Sequence, residues 1–207
     1  MENNAASNLA ISYPEYPKTY ALGFNYDYES AENFATEAHQ NTNHLYDGYL
    51  PYEFHLRMAI ANFHRFKHLV SEQWLRHVEC AIWLHDVIED TRTNYATLKS
   101  EFGEDVADLV YAVTNEKGKN RKERESDKYF EGIRNTPYAT FVKLCDRLAN
   151  VQYSKMNEWN NSGKLDMYRK EHPHFMQKLY DEKYKEMFGL LNSLLGIDDE
   201  SWKHEKV

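Results

Sequence analysis

The chain has 207 residues, enough for one domain with a sizeable core. Only eight glycines and five prolines stand against sixteen tyrosines, ten phenylalanines and four tryptophans, a balance that favours packed helices over a turn-rich β fold. A net charge of −8 argues against a general nucleic-acid or membrane surface. No apolar run approaches the roughly 20 residues of a membrane-spanning helix, and the first residues have no basic stretch followed by an apolar one, as a signal peptide would. Cys80 and Cys145 sit in apolar helical contexts and read as buried free thiols of a reducing compartment. The expectation is a soluble cytoplasmic protein.

Taken in order, residues 1–28 read as an irregular polar arm. Ser30 is a plausible N-cap for a helix over Ala31–His39. Asn41, Asn43, Asp47 and Gly48 mark a loop, and Pro51 suits the first turn of a helix running to about Leu69. His55 lies one turn into it; His64 and His68 read as surface residues. Ser71 can cap a helix over Glu72–Glu89, which carries Trp83, Leu84, His85, Asp86, Val87, Ile88, Glu89 and Asp90 in succession. On one helix, His85 would lie over Glu89, and Asp86 over Glu89 and Asp90. A neutral imidazole beside a carboxylate is half of a transition-metal site. Further carboxylates on that face are costly to bury without a cation or proton between them. A solvated acidic helix end is the plainer reading, but the large apolar neighbours argue against it.

Asn94 can cap a short helix through Phe102, Gly103 breaks the chain, and Glu104–Thr114 continues helically. The basic run from Lys117 to Arg124 is either a solvated loop or a phosphate-facing one. Residues 138–157 form a helix whose apolar face (Val142, Leu144, Cys145, Leu148, Val151) contains Asp146, and a buried lone Asp needs a partner or a metal. Asn150 lies one turn below it. Two last helices are expected over 164–172 and 174–195, separated by Pro173, before a polar tail from 197 to 207.

Four segments together carry a resemblance: PYxxH at 51–55, LHDVIEDT at 84–91, the FG..V..LV..VT pattern at 102–114, and KLCDRLANV at 143–151. They resemble HD-domain metal-dependent phosphohydrolases, and within these the hydrolase domain of RelA/SpoT homologues and the small alarmone hydrolases, over residues 34 to about 155. The resemblance implies an all-α fold, a single HD-domain bundle of about eight to ten helices over 29–196. It implies that His55, His85, Asp86 and Asp146 hold one divalent ion. Two imidazoles and two carboxylates suit Mn²⁺, Fe²⁺ or Zn²⁺, and the resembled enzymes use manganese, so Mn²⁺ is expected. Glu89 and Asp90 would orient and deprotonate a water or protonate the leaving oxygen. Lys117 would meet a phosphate and Asn150 the nucleoside sugar. His44 stands near where the family carries an Arg, and Arg169 and His172 are candidates for further contacts.

The activity so implied is removal of the 3′-pyrophosphate of (p)ppGpp, a small-molecule nucleotide, with no DNA or membrane partner. Two alternatives stay open. One is an HD phosphohydrolase acting on another nucleotide or on a 3′-pyrophosphorylated RNA end. The other is a non-catalytic nucleotide-binding regulator, against which the two carboxylates beyond the ligand set argue.

Overall fold

The computed structural model describes residues 27–115, 126–160 and 163–197. Most of the expected arm, the basic run from Lys117 to Arg124 and nearly all of the expected tail lie outside the described residues. The described chain is helical, as expected: α1 (Tyr28–Asn41), α2 (Glu53–Phe66), α3 (Leu75–Leu84), α4 (Val87–Asp90), α5 (Tyr95–Phe102), α6 (Glu104–Val113), α7 (Asp127–Asn135), α8 (Ala139–Met156), α9 (Lys164–Leu179) and α10 (Lys185–Leu195). Short 3₁₀ turns link some of them. Among the described residues the one sheet is a hairpin of β1 (Leu45–Tyr46) and β2 (Leu50–Pro51), antiparallel with Tyr46 opposite Leu50. Asp47 and Gly48 turn its tip with φ of 53° and 81°. The second value lies where glycine carries no steric penalty.

The axis of the bundle is α8, which touches α2, α3, α6, α7, α9 and α10. Its Phe141, Leu144, Leu148 and Val151 are fully buried, each worth about 1.5–3 kcal/mol for the larger side chains. That stripe fixes the rotation of α8, and with it the direction of Asp146. α2 packs on both α8 and α3, and α1 packs on α3. Cys80 and Cys145 are buried and free, as expected. No described helix is long and apolar enough to cross a membrane.

Four boundaries differ from expectation. The helix expected from about Pro51 starts at Glu53, because Pro51 pairs with Leu45 in the hairpin, and gives way to a 3₁₀ turn at Lys67. α1 starts earlier, because Asp27 rather than Ser30 is the cap: its Oδ1 accepts from both the Ser30 N–H and the Ser30 hydroxyl at 2.8 Å. The helix expected over 72–89 begins as a 3₁₀ turn at Glu72–Trp74 and is interrupted at His85–Asp86. The break expected at Pro173 is absent. α9 runs through it, and the chain turns instead at Tyr180–Tyr184. Proline removes one helical hydrogen bond and usually bends or ends the helix, but buried His172, Phe175 and Met176 anchor α9 on both sides of it.

Candidate metal centre

The interruption after α3 shapes the site. At its end His85 Nδ1 donates to the Ile82 carbonyl at 2.7 Å. A carbonyl can only accept, so the proton sits on Nδ1 and the Nε2 lone pair faces inward. Asp86 then precedes α4: its carbonyl accepts from Asp90 N–H at 2.9 Å, and its side chain points to the cluster instead of capping the helix.

His55, in the first turn of α2 and 1% exposed, brings its Nε2 to 3.2 Å from His85 Nε2. The same atom lies 3.5 Å from Asp86 Oδ2 and 3.3 Å from Asp146 Oδ1. His85 Nε2 lies 2.9 Å from Asp86 Oδ2 and 3.8 Å from Asp146 Oδ1. The ligand atoms of His55, His85 and Asp86 all fall within 4.8 Å of one another, and Asp146 reaches the cluster through the two imidazoles. Donors held about 2.0–2.2 Å from one ion stand about 3 Å apart when at right angles, so these separations fit a single divalent ion. The N₂O₂ donor set fits as well.

The electrostatics point the same way. Burial alone would lower both imidazoles, but Asp146 and Asp86 raise His55, and the same two carboxylates raise His85 well above the ordinary range. Burial would likewise raise Asp86, yet His85 and His55 hold it well below the usual carboxylate range. Asp146 is held down, against its burial, by Lys143 first and then by the two histidines. Without an ion the two carboxylates thus draw protons onto the inward-facing imidazoles, and a divalent ion at the centre would take the place of those protons, since a ligating imidazole is neutral. His55 Nδ1 is buried with no hydrogen-bond partner among the described residues.

Around them lies a ring of partners. Lys143 Nζ donates to Asp146 Oδ2 at 3.0 Å, and Asn150 Nδ2 to Asp146 Oδ1 at 2.5 Å. Asn150 Oδ1 accepts from the Tyr46 hydroxyl at 3.0 Å, while the Tyr46 ring stacks on His55 with centroids 5.0 Å apart. Tyr52 donates to Asp86 Oδ2 at 2.5 Å. Burial, then Asp86 and Asp90, pushes the Tyr52 phenol well above its usual range, so it stays a donor. The hairpin is tied across the site by Tyr153, whose hydroxyl donates to Asp47 at 2.9 Å, and by Lys164, which pairs with Asp47 at 2.5 Å.

The remaining sequence candidates separate. Asp90 is half-buried, and burial followed by the charges of Asp86 and Glu89 raises its carboxyl to about 7. Glu89 is exposed and accepts from Asn115 N–H at 3.2 Å and Nδ2 at 3.1 Å. His44 Nδ1 lies 3.7 Å from Asp90 and 3.1 Å from His39 Nδ1, and its ring stacks on Tyr52. Arg169 is engaged elsewhere, by the Leu195 carbonyl at 3.0 Å, Asp166 at 2.7 Å and Glu158 at 3.4 Å. His172 meets Asn192 at 2.5 Å in the α9–α10 interior. Lys117 lies outside the described residues. Sequence reasoning missed Tyr46, Tyr52, Lys143 and Asn115. Lys143 was findable, since it stands three residues before Asp146 on one helix. Tyr52 lay inside the PYxxH segment without a stated role. Tyr46 had no signal, because its partner is 104 residues away.

A family model described as HD domain matches residues 31–170. A guanosine-3′,5′-bis(diphosphate) 3′-pyrophosphohydrolase, MESH1, of Danio rerio is 35% identical over 122 residues, covering 58% of this chain and 64% of that protein. The guanosine-3′,5′-bis(diphosphate) 3′-pyrophosphohydrolase of Aquifex aeolicus is 41% identical over 75 residues, covering 35% of this chain and 11% of that protein. The match thus spans less than two thirds of either relative. Among solved structures, one described as a metazoan ortholog of SpoT that hydrolyzes ppGpp and plays a role in starvation responses superposes with a TM-score of 0.58. It is 20% identical and covers 80% of this chain and 94% of that one, a likeness of fold.

Proposed function

The chain belongs to the HD domain family, and from that premise we propose that it is a metal-dependent phosphohydrolase that removes the 3′-pyrophosphate of (p)ppGpp. The observation that carries this reading is the convergence of His55, His85, Asp86 and Asp146 at 2.9–3.8 Å. The names of the relatives from Danio rerio and Aquifex aeolicus support the substrate. These four residues would hold the ion, and the resembled hydrolases make it manganese. When bound, a divalent ion lowers the pKa of a water and offsets charge on a phosphoryl group.

The other roles fall to this chain's own groups. Asp90, with its carboxyl near neutrality, takes a proton from the attacking water or returns one to the leaving oxygen. Glu89, steadied by two N–H donors of Asn115, orients that water. Asn150 reads the ribose once its carbonyl oxygen exchanges the Tyr46 hydroxyl for a sugar hydroxyl. Lys117 meets a phosphate. Arg169 would have to leave Asp166 and Glu158 to contribute.

One observation favours a second reading, action on another nucleotide, one without a 3′-pyrophosphate. His44, near where the resembled hydrolases carry an Arg, is engaged by His39, Tyr52 and Asp90, and an imidazole lacks the two-pronged donation a pyrophosphate wants. The experiment is incubation of Mn²⁺-loaded protein with ppGpp, GTP and dGTP, followed by chromatography. Release of GDP and pyrophosphate from ppGpp, abolished by His85→Ala, is the expected result. Turnover of dGTP or GTP with ppGpp untouched selects the second reading.

A further inference from the structure

Resting on that reading, we propose that Tyr52 is a positioning residue of the metal centre: its hydroxyl holds the Asp86 carboxylate in ligating orientation, and the rings of His39 and His44 hold Tyr52. The hydroxyl donates to Asp86 Oδ2 at 2.5 Å. That oxygen is the one 2.9 Å from His85 Nε2 and 3.5 Å from His55 Nε2. A carboxylate oxygen has lone pairs enough to accept an O–H and face an ion together. The need for an outside support is local. Asp86 sits in the interruption between α3 and α4, and its carboxylate makes no capping bond to α4. The backbone therefore leaves the carboxylate free to rotate, and Tyr52 removes that freedom.

Tyr52 is in turn fixed on several sides. His39 stacks on it with centroids 4.1 Å apart and planes at 20°, and His44 at 4.2 Å and 24°. Tyr46 and His55 meet it edge-on at 6.0 Å and 5.6 Å. The two imidazoles lie side by side against Tyr52, centroids 5.3 Å apart, and lock each other, their Nδ1 atoms 3.1 Å apart so that one donates to the other. His39 is 1% exposed and its Nε2 has no partner among the described residues. A buried imidazole with one nitrogen unsatisfied costs stability, and the clamp gives it a purpose that packing alone does not.

The test uses Tyr52→Phe, which keeps the ring and removes only the hydroxyl. Mn²⁺ affinity is measured by competition against a chelator, beside thermal unfolding of the metal-free protein. The expected result is a Kd weakened about 10–100-fold, as for other partners of metal ligands, with the metal-free melting temperature unchanged. His44→Ala weakens Kd by a smaller factor, and adds nothing in the Tyr52→Phe background because both act through one hydroxyl. A Tyr52→Phe Kd within about twofold of wild type overturns the proposal. So does a drop in metal-free melting that accompanies the loss of affinity, which would assign the hydroxyl to the fold. Equal costs of His44→Ala in both backgrounds overturn the clamp. If wild type binds no divalent ion, the proposed function itself fails; if it binds and Tyr52→Phe binds equally, only this inference does.

Discussion

Asp86 and Asp146 face the same pair of imidazoles from two different kinds of backbone. Asp146 stands in the middle of α8, eighteen residues long, and its supports come from the same helix: Lys143 three residues before it and Asn150 four after. Asp86 stands in a break between helices, and its support, Tyr52, comes from 34 residues upstream, beyond β2. One carboxylate is held by helical periodicity and the other by tertiary packing.

Breaking the site beside both carboxylates has the largest effect. Asp90→Asn is expected to lower turnover about 10²–10⁴-fold, the usual worth of a general acid or base, with metal content unchanged. Elemental analysis beside a rate assay checks both halves. Glu89→Gln acts in the same direction and less, since Glu89 is exposed and orients the water without exchanging a proton with it.

The local support is broken next. Lys143→Met leaves Asp146 without the charge that most lowers its carboxyl. Breaking a fully buried pair by removing one partner costs about 3–5 kcal/mol; this pair is partly buried and Asp146 keeps Asn150, so urea unfolding of the metal-free variant should show a smaller but measurable loss. Tyr52→Phe, removing the distant support, should not.

How much of this was legible follows the same division. Asp146 and Asn150 were readable because residues four apart on a helix meet, while the adjacent His85–Asp86 pair stood out as an imidazole beside a carboxylate in an apolar run, and His55 entered through its matched segment. The fold class followed from few glycines and apolar faces at helical spacing. The break at His85 was not readable. It depends on the imidazole taking the Ile82 carbonyl, a choice the burial of Ile82, Trp83 and Leu84 makes available. Pro173 misled because a local rule was applied where tertiary anchors override it. Tyr46 meeting Asn150 across 104 residues has no sequence signature at all.

A further expected effect concerns pH. In the metal-free protein Asp90 has a folded value of about 7 against an ordinary 3.8. The folded state binds its proton more tightly, so the stability this group contributes is present below about 4 and lost as pH rises through 7. Asp90→Asn should therefore make metal-free protein more stable than wild type at pH 8, the gap closing as pH falls towards 4. Melting curves across that range check the sign; a gap that widens in acid would reverse it.

The most direct test of the centre itself is elemental analysis of wild type and Asp146→Ala after identical metal loading and dialysis. One divalent ion per wild-type chain and none in the variant are expected, since the ion loses a carboxylate ligand. Undiminished metal in Asp146→Ala would contradict Asp146 as a ligand.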